Sequence, residues 1–131
     1  MKYIVIVGCG KTGQSLACEF SQDYNVVVVD KNKRSLDSLG ENFNGKKVLG
    51  DALDISVLES AGIKDADVVI LATGNDNLNL VVGKVAKDMY QIKKVLLQVY
   101  DTTKTSIFSG TGLEIINKTQ LIVEVFKGCI S

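Results

Sequence analysis

The sequence contains no histidine and no proline, and its three cysteines, Cys9, Cys18 and Cys129, lie far apart. Without histidine, and with no cysteine pair at metal-ligand spacing, no zinc site is expected. An odd, sparse set of thiols is not a disulfide framework and predicts reduced cysteines in an intracellular compartment. Fifteen basic and fifteen acidic residues cancel, so no net field steers the chain onto nucleic acid or an anionic membrane surface. No apolar run approaches the ~20 residues that span a bilayer, which argues against direct membrane insertion. Gly8 and Gly10 interrupt the first apolar run too early for a signal peptide. With no proline, no low-complexity stretch and no repeat of the roughly 20–50-residue kind, nothing marks a linker, and residues 1–131 read as one domain.

The chain does carry short β-branched runs alternating with helical patterns. Residues 4–7 and 26–29 are continuous Val/Ile runs, as expected for strands buried on both faces. Further strands are predicted at 47–50, 67–72, 94–100 and 113–116. Helical patterns follow residue 13, then around Leu36 and Leu39, from Asp54 as N-cap to a stop at Gly62, over 78–89, over 103–108 and over 119–129. Strand–helix alternation of this kind gives βαβ units. The expected fold is α/β: a Rossmann-like, doubly wound parallel sheet of six strands in the order 3-2-1-4-5-6.

Gly8-Cys9-Gly10-Lys11-Thr12-Gly13 matches G-x-G-x-x-G between the first strand and the first helix, the context in which that spacing has a mechanism. Gly8 permits the tight turn, Gly10 lets a pyrophosphate approach the backbone, and Gly13 lets the helix pack on the sheet. The amides at the helix start then face phosphate, and Lys11 adds a mobile positive charge. Asp30, twenty residues beyond Gly10, ends the second strand where a carboxylate accepts from ribose hydroxyls and repels a 2′-phosphate. NAD, ADP or ATP is therefore favoured over NADP, although Lys31 and Arg34 could each meet an extra phosphate. Gly10-Lys11-Thr12 is not the end of a P-loop, which would need glycine where Val5 stands.

Two further strand ends border the expected crevice. At Gly50-Asp51-Ala52, Asp51 could accept from an adenine amino group and Ala52 could line the base; Asp51 is equally readable as a turn residue. At Ala72-Thr73-Gly74-Asn75-Asp76, small residues leave room for a ligand at the switch point, while Asp76 and Asn79 read as capping and packing residues. Little points to catalysis. Cys9 reads as packed rather than reactive. Tyr90 and Lys94 form a Y-x-x-x-K pair of the kind that exchanges protons in small oxidoreductases. That pair needs one helix, and here the tyrosine ends a helix while the lysine starts a strand, so the two are expected to diverge. Binding without chemistry is the favoured reading, with no catalytic residue; a small NAD-dependent oxidoreductase is the alternative.

The glycine turn, the strand 26–29 closing on Asp30, Gly50-Asp51-Ala52, and Thr73, Asp76 and Asn79 in the pattern T-x-x-D-x-x-N together resemble the RCK (KTN, TrkA-N type) nucleotide-binding domains of potassium transport. The resemblance covers essentially the whole chain. It implies a cytoplasmic regulatory domain that binds NAD(H), or ADP, ATP or AMP, and forms homodimers that assemble into a ring beneath a membrane potassium channel or transporter subunit. By position, Gly8 to Gly13 would hold phosphates, Asp30 ribose, Asp51 and Ala52 adenine, and Ala72, Thr73, Gly74 and Asn75 would face the ligand. Two departures stand out. Gln98 occupies the place of an arginine common in the family's fifth strand, and Asn117-Lys118-Thr119 stands where a proline often precedes the last helix. The smaller C-terminal domain carried by many members is not expected here. The apolar positions of the last helix, Leu121, Ile122, Val123, Val125, Phe126 and Ile130, cover more than one face. A second subunit burying them is favoured over deep burial within the chain.

Overall fold

The computed structural model describes residues 1–101 and 110–131; the helix expected at 103–108 lies outside the described residues. The strands are β1 (Tyr3–Val7), β2 (Asn25–Asp30), β3 (Lys46–Leu49), β4 (Val68–Leu71), β5 (Lys94–Gln98) and β6 (Glu114–Ile116). The helices are α1 (Lys11–Phe20), α2 (Lys33–Asp37), α3 (Ile55–Ser60), α4 (Asp76–Lys84) and α5 (Lys118–Ile130). All strand pairings are parallel and the sheet order is β3-β2-β1-β4-β5-β6, as the alternation of elements predicts.

The Val/Ile runs explain why the sheet is covered on both faces. Successive side chains in a strand point to opposite sides. Val5, Val7, Val27, Val29, Val69, Leu71, Val95 and Leu97 enter one core with Leu58 of α3 and Val82 of α4. Ile4, Ile6, Val26, Val28, Val68 and Ile70 enter a second core with Ala17 of α1 and Leu36 of α2. A strand that must be apolar on both faces cannot show polar alternation, which is why these runs are continuous. Because β1 pairs with both β2 and β4, the crossovers leave it in opposite directions. A crevice therefore opens between the C-terminal ends of β1 and β4.

Two element boundaries differ from expectation by more than a residue. The fifth strand ends at Gln98 rather than Tyr100, because the amides of Tyr100 and Asp101 donate to the Asp76 carboxylate at 3.0 and 2.9 Å. The helix expected over 78–89 begins at Asp76 and widens at Val85–Met89 into a π-helical turn, where the Tyr90 amide reaches back to the Val85 carbonyl. Deep burial of the last helix is excluded, since no residue of α5 is buried. No helix among the described residues is long and apolar enough to cross a membrane.

Candidate functional site

The glycines of the turn divide by what they touch. Gly8 has φ +110°, and a Cβ there would lie 2.8 Å from the Ala72 carbonyl carbon and the Thr73 amide. A Cβ on Gly13 would lie 1.9 Å from the Gly8 carbonyl oxygen, so both positions are fixed by close packing of turn, helix and strand. Gly10 is different. Its φ of −79° and ψ of −161° suit any residue, it is exposed, and a Cβ there would meet nothing within 4 Å. Nothing in the described chain requires glycine at position 10, and its backbone is open to approach.

The helix starts show the same contrast. Asn32, Asp54, Asn75 and Asn117 cap α2, α3, α4 and α5, each accepting from an amide of the first turn. Such caps satisfy donors that have no partner within the helix. α1 opens on Gly10 with no side-chain cap and no acidic residue in its first turn. Its hydrogen-bond ladder begins with Gln14 N–H donating to the Gly10 carbonyl at 2.8 Å, so the amides of Lys11, Thr12 and Gly13 precede it. An uncapped start of this kind attracts an anion through both its free donors and its dipole.

Beside the turn lies a cleft of about 260 Å³. Among the expected residues, Gly8, Asp30, Lys31, Asp51, Ala52, Thr73, Gly74 and Asn75 line it, together with Val7, Val29, Gly50 and Leu78. The volume is slightly below the roughly 300–1,000 Å³ typical of pockets that enclose a drug-sized ligand. The cleft has room for a group of about nucleoside size, and exposed Gly74 lies in its wall. Asp30 sits between turn and cleft. Its carboxylate accepts from the Cys9 amide and the Asn32 amide, both at 2.7 Å, which fixes its orientation. A carboxylate offers about four acceptor sites, so these bonds leave capacity for a diol. Asp51 accepts from the Leu53 amide at 2.9 Å. It is thus a turn residue that also borders the cleft.

The opposite wall is held by the T-x-x-D-x-x-N pattern. Buried Asn79 donates through Nδ2 to the Thr73 carbonyl at 3.1 Å and the Gln98 carbonyl at 2.8 Å, and accepts from the Thr73 hydroxyl. Asp76 is not the helix cap; Asn75 is, accepting from the Leu78 amide at 3.0 Å. Freed from capping, Asp76 binds the chain just beyond β5. Gln98 stays within the fold, donating to the Tyr100 hydroxyl at 2.7 Å.

Other expected residues lie off the cleft lining. The Cys9 side chain is fully buried and turned into the core, with its Sγ 3.2 Å from the Ser35 carbonyl; burial and then the Asp30 carboxylate push its thiol up to about 11. Ala72 packs in the core, and Arg34 is exposed on α2. Lys11 and Thr12 stand in the first turn of α1. Tyr90 ends the π-helical turn and Lys94 starts β5, so the two do not share one helix; both border one open cavity. That cavity is at the N-terminal ends of the strands, about 15 Å of strand away from the glycine turn. From sequence, Leu78 is expected only as a helical packing position and Lys118 only in the segment before the last helix; the place of Leu78 in the cleft wall is not expected. Lys118 Nζ donates to Thr12 Oγ1 at 2.7 Å, a contact between positions 106 residues apart that no local pattern announces.

Residues 4–118 match the family model of the TrkA-N domain. The Trk system potassium uptake protein TrkA of Streptomyces coelicolor is 32% identical over 112 residues, covering 85% of this chain and 50% of that protein. A TrkA homolog of Pyrococcus abyssi is 33% identical over 107 residues, covering 81% and 47%. The chain thus spans about half the length of the curated relatives it matches. Among solved structures, the TrkA-N domain of the inner membrane protein YbaL of Escherichia coli superposes with a TM-score of 0.88 at 17% identity, covering 99% of this chain and 97% of that one. The GsuK channel bound to NAD superposes with a TM-score of 0.73 at 21% identity over 88% of this chain and 21% of that one.

Proposed function

The chain belongs to the TrkA-N domain family, and from that premise we propose that it is a cytoplasmic nucleotide-sensing domain that regulates a membrane potassium channel or transporter. An adenine nucleotide, NAD(H) or else ADP, ATP or AMP, lies with its base beside Asp51 and Ala52 and its ribose on Asp30. Its phosphates rest on the amides of Lys11, Thr12 and Gly13, and Thr73, Gly74 and Asn75 face it from the far wall. The observation that carries this reading is the pairing of a glycine no packing contact requires with the one uncapped α-helix start among the described residues. The NAD-bound GsuK channel, of the same fold, supports the choice of ligand class. Two copies pair through α5, and pairs assemble further into a ring. Nucleotides regulate such an assembly only where they bind its alternative states with different affinity.

Titration calorimetry with NAD, NADH, NADP, ADP, ATP and AMP tests the binding step. We expect saturable heat with at least one nucleotide lacking a 2′-phosphate and weaker binding of NADP. Asp30→Ala removes both the ribose acceptor and the Cys9 anchor, and should cost tenfold or more in affinity, about 1.4 kcal/mol. No binding of any of the six by the folded chain would overturn the proposal.

A further inference from the structure

Lys118 is the first residue of α5, where the positive end of the helix dipole disfavours a cation. Its ammonium reaches Thr12 in the first turn of α1, a second positive helix end, beside Lys11. Neither Lys11 nor Lys118 forms an ion pair among the described residues. The Asp30 carboxylate is bonded to backbone amides instead. The Lys118 ammonium thus sits at a second helix start, with no carboxylate bonded to it among the described residues. The root of Lys118 is fixed, because Asn117 is buried and caps α5 through the Gln120 amide at 2.9 Å. Violations of local electrostatic preference of this kind concentrate at functional sites, and an anion placed there would remove the conflict.

Resting on the nucleotide reading above, we propose that Lys118 is a phosphate-binding residue, one that selects nucleotides by their phosphate charge. The Thr12 hydroxyl holds its ammonium at the first turn of α1, from which a bound diphosphate receives it. Lysine serves here as a mobile point charge with three donors, of which one is used on Thr12. The residue is supplied by α5 rather than by the glycine turn, so phosphate occupancy bears directly on the first turn of the apolar helix. A nucleoside without phosphate has no group for this ammonium, which separates its contribution from that of the base and ribose contacts.

The test compares ADP with adenosine by calorimetry on the whole chain and on Lys118→Met and Lys118→Arg. A charge-assisted bond should weigh about tenfold or more in affinity. Lys118→Met is therefore expected to weaken ADP by that factor and leave adenosine unchanged, while Lys118→Arg keeps most of the ADP affinity. ADP binding should also become less sensitive to salt in Lys118→Met, since one charge pair is gone. Equal ADP affinity in wild type and Lys118→Met would overturn the role of Lys118 while leaving the nucleotide site standing. A parallel loss of ADP and adenosine would also overturn it, as the mark of a merely structural residue. Failure of the wild-type chain to bind ADP, NAD or adenosine would instead remove the site itself.

Discussion

At the scale of single residues, the glycine turn separates packing from binding, and substitution should separate them too. A Cβ on Gly13 would overlap the Gly8 carbonyl, a backbone atom that cannot swing aside. Gly13→Ala should therefore cost about 3 kcal/mol of stability, the upper range for overpacking. Gly10→Val places its side chain in open space and should cost no more than about 1 kcal/mol, the scale of a changed N-cap. It should nevertheless abolish nucleotide binding by covering the amides of the next turn. Denaturant unfolding and calorimetry on the same two variants read both quantities. A Gly10→Val chain that binds normally would show that the turn holds no phosphate. The motif assigned Gly8 and Gly13 to the fold and Gly10 to a ligand, but it could not say what the first two touch. Those contacts, with Ala72, Thr73 and the Gly8 carbonyl, exist only in the folded chain. The same limit applies to Lys118 and Thr12, since no periodicity links the start of the last helix to the start of the first.

At the scale of elements, α4 is fastened to the sheet by polar bonds as well as by its apolar face. Asn79 bridges the Thr73 turn and the end of β5 from a fully buried position. Asn79→Leu keeps the volume but leaves the Gln98 carbonyl and the Thr73 groups without that partner. Each unsatisfied buried group costs about 1–3 kcal/mol, so a loss of about 2–4 kcal/mol is expected, read as a lower urea midpoint at unchanged slope. A change below about 0.5 kcal/mol would mean that these bonds contribute nothing net. Most elements were legible because their signals are local: the continuous Val runs of β1 and β2, the Asp54 cap, and the stop at Gly62, whose φ is +80°. What was misread depended on partners distant in sequence. Asp76 looked like a cap until Asn75 took that place and the chain just beyond β5 supplied the amides of Tyr100 and Asp101. The wide turn at Val85–Met89 carries the same apolar spacing as an α-helix, so its pattern could not reveal it.

At the scale of the whole molecule, α5 is the element that the rest of the described chain does not account for. Its thirteen residues are near the ~12–15-residue length at which an isolated helix is marginal in water, and most helices owe their stability to burial of an apolar face. Here that burial is missing: Leu121 and Ile122 are 54% exposed, Val125 and Phe126 65%, and Ile130 85%. With Val123 they form a broad apolar stripe that covers more than one face of the helix, while Glu124 and Lys127 pair on the remaining polar side. A stripe of this kind can be covered by its own symmetry mate, since a twofold contact sets the same patch against itself. We therefore expect a dimer in sedimentation equilibrium at micromolar concentration. Val125→Asp/Phe126→Asp should yield a monomer that keeps the sheet and the cleft beside Asp30 and Asp51, because neither residue touches the sheet cores. Helix content should fall in the double variant by roughly the share α5 contributes, since its partner is what sustains it. A wild-type chain that stays monomeric at high concentration with α5 fully helical would show that the stripe needs no second copy. The pairing would then have to be abandoned, although the cleft would remain.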